Sequence, residues 1–356
     1  MPPLKARLLW ILAALLALAA VGWGVWRSAN PATAVLTRTQ AVEQLTELGG
    51  RFSAAVENER SVKPMLGDVQ SIAQQFPDLD SAHQLLGQIQ AQLGETDAAY
   101  ASFERALEIE PANAELQNLA GTAAAVIGNL EAAEDHFRRA IAQDAHDARF
   151  HIRLGDTLLK TQRLDDAHAA FTQALTLRLM AHAADAGLGD VSAARAQIAD
   201  DTATRADLLR QAIDHTETAR SKLPPDEKPQ TLAFRTAYAR KLARHHHQRG
   251  DANQACAIIE SLPADDRFDP GLLAEWASYL NARGQPVVAA LQYELAAQRD
   301  PNNPELLARG AHWFEQAGDK QAARLLHDKL RARWPDHPAA AAPRDAAGAA
   351  NQSLGS

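Results

Sequence analysis

Residues 80–113 read DSAHQLLGQIQAQLGETDAAYASFERALEIEPAN, and this stretch decides how the rest of the chain is read. Apolar residues recur at three- and four-residue spacing, first over Ala82–Leu93 and again over Ala98–Ile109, with a glycine between them. That is the pattern of two amphipathic helices joined by a tight turn. The stretch also repeats. Gly87, Gly121, Gly155 and Gly189 lie 34 residues apart, and a second glycine, just before a helix break, recurs at Gly94 and Gly128. The same kind of glycine returns at Gly250, Gly284 and Gly318, again 34 apart. Ala99, Ala133 and Ala167 keep step, as do Phe103, Phe137 and Phe171, and then Ala106, Ala140 and Ala174. Ala255, Ala289 and Ala323 continue the alanine position toward the C-terminus, and Pro111, Pro301 and Pro335 close their units. A fixed period of this length means a solenoid, in which each unit buries its apolar face only against its neighbours.

The Leu-Gly pairs at Leu86-Gly87, Leu154-Gly155 and Leu188-Gly189, the alanine and phenylalanine of the second helix and the closing prolines together resemble the tetratricopeptide repeat family. The resemblance implies an all-α fold: antiparallel helix pairs stacked into a right-handed superhelical solenoid. It covers six units, at 80–113, 114–147, 148–181, 236–269, 270–303 and 304–337. The blocks on either side are out of phase by twenty residues. The unit at 182–235 is therefore read as degenerate, with five extra residues between its helices near 198–204 and fifteen more at 221–235. Pro224, Pro225 and Pro229 fall in the latter segment, and proline ends helices, so it is expected to be a loop between two sub-arrays. Residues 27–79 are expected to be a helical linker and degenerate cap, with Gly49-Gly50 as a break. Residues 338–356, rich in alanine, proline, glycine and serine, are expected to form a disordered tail.

The beginning of the chain reads differently. Residues 8–26 are 19 consecutive positions without a charge, which as a helix would span about 28 Å, near the thickness of a bilayer core. Trp10 lies near one end, and Trp23 and Trp26 near the other, as an interfacial aromatic belt would have them. Lys5 and Arg7 precede the run, which favours residues 1–7 on the cytoplasmic side. A cleaved signal peptide competes, with Ala17-Leu18-Ala19 as the cleavage site. The run continues past Ala19 and ends in tryptophan, which suits an uncleaved single-pass anchor better. The expectation is a cell-membrane protein whose repeats lie in the periplasm or otherwise outside the cytoplasm. Its layout resembles that of bacterial inner-membrane proteins with periplasmic tetratricopeptide repeats.

Composition agrees with closely packed helices: 76 of the 356 residues are alanine, and aromatics make up only 5%. One cysteine, Cys256, excludes an internal disulfide and reads as a small buried thiol. A formal charge of −8 argues against nucleic-acid binding. There is no nucleophile elbow, phosphate loop, zinc-protease motif or dinucleotide fingerprint, so no enzyme activity, cofactor or small-molecule substrate is expected. His245-His246-His247 invites a metal reading. Successive helical residues point about 100° apart and cannot converge on one ion, so the run is taken as a solvated polar helix end.

The resemblance places the partner-binding surface on the concave face, lined by the first helix of each unit. Carried over, it passes through Gln84, Gln88, Glu115, Asn118 and Thr122. The candidate binding residues are Arg149, Arg153, Lys160, Arg240, Arg244, His247 and Gln248, facing a protein or peptide partner. Arg240, Arg244 and His247 form a basic stripe on one helix face, because three- and four-residue spacing stacks side chains. Two readings stay open: the stripe receives an acidic segment or a C-terminal carboxylate, or it balances acids on neighbouring helices. The chaperone-binding members of the family use a basic and asparagine clamp. Arg149 and Arg153 could serve in one, but Gln84 and Gln88 replace its lysine and asparagine. The function expected is a scaffold for assembly, biogenesis or quality control of envelope proteins. The alternatives are a structural subunit of a membrane complex and an accessory protein of exopolysaccharide or cytochrome c maturation systems.

Overall fold

A computed structural model describes residues 36–341 except 59 and 227. The expected anchor at 8–26 and the tail beyond 341 lie outside these residues. Among the described residues every regular element is helical, and no helix is long and apolar enough to cross a membrane. The chain divides into two units between Thr161 and Gln162.

The first unit holds α1 (Arg38–Glu57), α2 (Leu66–Gln75), α3 (Asp80–Gln92), α4 (Thr96–Ile109), α5 (Ala114–Val126), α6 (Leu130–Gln143) and α7 (Ala148–Lys160). Turn residues start these helices by capping. Asn113, Asn129 and Asp147 accept the amides of Leu116 at 3.0 Å, Ala132 at 3.2 Å and Arg149 at 2.8 Å. Thr37 and Gln40 form a reciprocal capping box that starts α1. That helix then runs through Gly49-Gly50 without the expected break. Ala41, Leu45, Leu48 and Ala55 are buried on one face of it. Their burial against the next helices outweighs the roughly 1 kcal/mol that each helical glycine costs.

Within a hairpin, the phenylalanine of the second helix lies directly on the first. A Cβ on Gly87 would come within 2.6 Å of the Phe103 ring, and one on Gly121 within 2.8 Å of Phe137. Ala99, Ala106, Ala133 and Ala140 are fully buried around these rings. The side chains that keep the 34-residue period are therefore the ones that set the distance between helices.

The second unit holds α8 (Leu164–Thr176), α9 (Ala181–Ile198), α10 (Thr202–Ser221), α11 (Pro229–Gln248), α12 (Ala252–Glu260), α13 (Pro270–Ala282), α14 (Pro286–Arg299), α15 (Pro304–Gln316) and α16 (Lys320–Arg333). Ala255, Ala289 and Cys256 are fully buried in its core with Leu272, Tyr279 and Tyr293. The loop expected at 221–235 is present but shorter, spanning 222–228 with Pro224 and Pro225, and the other inserted residues do not join it. They lengthen helices: α9 has 18 residues, and α10 and α11 have 20 each. Pro229 occupies the first turn of α11, where a missing N–H costs nothing, so it starts a helix rather than ending one. The added turns have a core of their own, in which Tyr238, Ala186 and Ala219 pack with Leu223 and Phe234. Lys222 Nζ also reaches the buried Asp185 at 2.5 Å. The division into units consequently falls at 161–162 and not in that segment. Residues 338–341 also depart from the disordered tail expected from 338 onward. They form a 3-10 turn whose Ala340 is buried, and the Ala339 carbonyl lies 3.1 Å from His327 Nδ1.

Gly94, Gly128, Gly250, Gly284 and Gly318 all have φ between 80° and 90°. The equivalent place in the unit 148–181 is held by Gln162, at φ 61°. A side chain in this left-handed region is strained by about 1–2 kcal/mol, partly offset by the greater freedom glycine has when unfolded. Gln162→Gly is therefore expected to stabilise the protein by roughly 0.5–1 kcal/mol, and Gly128→Gln to destabilise it by a similar amount. Urea denaturation midpoints measure both. Gly121→Ala, which drives a methyl into the Phe137 ring, should cost about 1–3 kcal/mol in the same assay.

Candidate functional site

The first-helix face of the first unit is carried by α3, α5 and α7. Arg149 is exposed but not available. Its guanidinium donates to Asp147 at 2.6 Å and to Glu115 Oε2 at 2.9 Å. Burial opposes ionisation of Asp147, yet the Arg149 hydrogen bonds outweigh it and hold this carboxyl below its ordinary range. Arg153 and Lys160 are different: both are exposed, and among the described residues no ion pair engages either. On α5, Asn118 is only 8% exposed, and its Oδ1 has no hydrogen-bond partner. Its Nδ2 lies 3.5 Å from Glu115 Oε1, at the limit of a hydrogen bond. Gln84 and Gln88 stand half-buried at the matching register of α3. Among the described residues this face thus keeps two cations outside any ion pair and one unmatched buried acceptor.

In the second unit Arg240 and Arg244 of the α11 stripe meet Glu275 of the next repeat, and Arg240 also lies near Asp269 at the end of its own repeat. Arg240 donates in a fork to Glu275, from Nε to Oε2 at 3.0 Å and from Nη2 to Oε1 at 2.9 Å. Arg244 Nη2 donates to the same Oε1 at 2.8 Å. Asp269 Oδ1 lies 3.4 Å from Arg240 Nη1. Burial opposes ionisation of Glu275, but the Arg240 hydrogen bond and the charge of Arg244 hold its carboxyl below the usual range. Lys241 is likewise paired, with Asp190. A cavity of about 510 Å³ opens beside the arginines, with Ala237 and Leu272 among its walls. Of the two readings the sequence left open, the geometry fits charge balance. Glu275 was not singled out in the sequence. A usable signal existed: it lies 35 residues beyond Arg240, one repeat plus one residue, as Glu115 lies 34 before Arg149.

His247 is half-buried, and its ring packs 4.8 Å from that of Tyr279. His247 Nδ1 and the Tyr279 hydroxyl are buried without partners, and burial pushes the tyrosine hydroxyl up. Gln248 is exposed at the end of the helix. The histidine run is not the solvated helix end expected: His245 is 2% exposed and His246 6%. The three rings fan out to different neighbours, because successive positions on a helix point about 100° apart. His246 lies near Asp251 and Arg249, and His245 faces α9 and α10. Thr216 gives its proton to the Ala212 carbonyl at 2.8 Å. His245 Nδ1, 3.3 Å from Thr216 Oγ1, must then be the donor in that pair. Its Nε2 lies 3.9 Å from Asp190 Oδ1.

Comparison with known proteins places this geometry. Residues 80–113 and 128–198 each match a tetratricopeptide repeat model. The protein CTR9 homolog of Arabidopsis thaliana is 35% identical over 92 residues, covering 26% of this chain and 8% of that protein. The chain thus spans only a small fraction of that relative. A tetratricopeptide repeat protein from Parabacteroides merdae superposes with a TM-score of 0.59 at 16% identity, over 75% of this chain and 99% of the other. The human IFIT1 dimer with PPP-AAAA gives 0.53 at 13% identity, over 77% and 69%. At these identities the likeness is one of fold.

Burial pushes His245 down to about 4, against the nearby charge of Asp190, with Lys241 and Arg244 adding to the downward shift. In the unfolded chain the ring titrates near 6.5. Above that value both states are neutral and the ring adds no pH dependence. As pH falls from about 6.5 toward 4, only the unfolded state takes up the proton, so stability declines by about 3 kcal/mol and then levels off. His245→Gln should flatten this slope. Urea midpoints at pH 7.5 and pH 5 for the two proteins measure it.

Proposed function

We propose that this tetratricopeptide repeat chain is a membrane-anchored interaction scaffold that holds a segment of a partner protein on its first-helix faces. In this reading residues 8–26 anchor it in the cell membrane, with residues 1–7 cytoplasmic and the repeats outside the cytoplasm. There it serves assembly, biogenesis or quality control of envelope proteins. The anchor is supported by the uncharged run, its tryptophan ends and the preceding basic residues.

The observation that carries the partner face is the unspent bonding capacity of the first unit. Arg149, Arg240 and Arg244 are each neutralised by carboxylates of the chain. Among the described residues Arg153 and Lys160 are not, and Asn118 Oδ1 is buried with no hydrogen-bond partner. Two cations outside any ion pair among the described residues suit a partner segment that carries acidic residues.

Affinity capture of the full chain from membranes, read by mass spectrometry, tests this. Arg153→Glu with Lys160→Glu is expected to lower the yield of captured partners about tenfold, since it reverses both free charges. An unchanged partner set would sink the assignment of this face. Deletion of residues 1–27 should move the protein from the membrane to the soluble fraction while capture persists.

A further inference from the structure

We propose that Glu275 is a built-in occupant of the Arg240–Arg244 pair, which closes the first-helix face of the second unit to acidic ligands. The inference rests on the reading of first-helix faces as partner surfaces. Two arginines four residues apart on one helix repel each other and together form a strong anion receptor. Both turn to the same carboxylate. Arg240 takes Glu275 in the two-bond fork by which a guanidinium grips a carboxylate, at 3.0 and 2.9 Å, and Arg244 adds a third bond at 2.8 Å. Glu275 Oε1 therefore serves both arginines.

The site is shaped for this internal contact. A Cβ on Gly271 would come within 3.0 Å of Arg240 Nη2, so this guanidinium lies against the bare start of α13. Asp269 both caps that helix, accepting from the Leu272 amide at 2.7 Å, and supplies the second negative charge at 3.4 Å from Arg240. The charges of Arg240 and Arg244 are matched by Glu275 and Asp269, and those of Lys241 and Asp266, which also line the cavity, offset each other. Yet the site is not sealed: the Arg244 side chain is 45% exposed and borders the cavity of about 510 Å³. Arg244 spends only one of its five N–H donors on Glu275. An arriving carboxylate can reach Arg244, but it must do so beside Glu275, and its own charge is repelled by the one already there. Glu275, itself only 27% exposed, can leave only by giving up three hydrogen bonds. Charge selection on this face is thus set by an acid of the chain. Removing that charge while keeping its shape converts the face into an anion receptor.

The experiment uses the full chain in detergent micelles and a fluorescein-labelled, N-acetylated tetraglutamate peptide, with anisotropy as the readout. Glu275→Gln is expected to bind the peptide at least about tenfold more tightly than the unaltered protein, and adding Arg244→Ala should abolish that gain. In the unaltered protein, Arg244→Ala should leave peptide binding unchanged. The proposal is overturned if Glu275→Gln, folded by circular dichroism, binds no more tightly than the unaltered protein. It is also overturned if unaltered protein binds the peptide and loses that binding with Arg244→Ala, a comparison that decides the matter even if Glu275→Gln does not fold. Binding through Arg153 and Lys160 survives Arg244→Ala and is lost in the Arg153→Glu, Lys160→Glu protein. Failure of the first-unit face is therefore read separately from failure of this one.

Discussion

The architecture depends on a ring laid against a residue with no side chain. Phe103 sits on Gly87 and Phe137 on Gly121, at distances where even a methyl group would collide. This contact brings the two helices of a hairpin closer than larger residues would allow, and the fully buried alanines around it hold the same separation. A hairpin packed in this way still has an apolar side exposed, and only the next hairpin can cover it. The 34-residue period is thus a spacing rule before it is a sequence motif. Where the ring is lost, the rule is kept by other means: Ile259 and Tyr293 are buried in the core of the second unit beside Ala255 and Ala289.

That rule made most of the fold legible. Glycines, alanines and phenylalanines in register identify helices and their partners, because each is needed at a point of contact between them. The misread segments share one physical feature: their local preferences were overruled by burial elsewhere. Gly49-Gly50 looks like a break, but the residues around it are buried on one face and the helix continues. Pro224, Pro225 and Pro229 look like one long loop, yet Pro229 sits where a helix accepts proline, and the extra turns of α10 and α11 bury Tyr238 and Ala219. The histidine run looks polar and solvated. Two of its rings are buried, because α11 continues α10's packing and is covered on its other side by α12 and α13. Sequence spacing gives which way a side chain points on its own helix, but not how much of another helix lies in front of it.

The candidate site was legible to the same degree. The first-helix register located the cations, since their position follows from the period. Whether each cation is free depends on an acid one repeat away, and that pairing is tertiary. Glu115 meets Arg149 from the same register, while Glu275 meets Arg240 from a register displaced by one residue. A shift of one residue turns a helical side chain by about 100°, so repeat arithmetic alone assigns these two acids different roles, although both do the same thing.

Two faces of similar composition thus have opposite chemistry. Most of the charges a solenoid exposes are engaged with one another, and each such pair contributes little to stability because water solvates the separated ions almost as well. Their larger effect is on what can approach. A guanidinium already forked to a carboxylate presents a ligand with a neutral, hydrogen-bonded surface, whereas an unpaired one presents its full charge. On these first-helix faces Arg149, Arg240 and Arg244 are paired, so a cation outside any ion pair stands out by its charge. Arg153 and Lys160 hold that position in the first unit. In the second unit Glu275 removes it from Arg240 and Arg244 with a single side chain. What such a face attracts then follows from the charges that the fold leaves without an internal answer, more than from how many basic residues each helix carries.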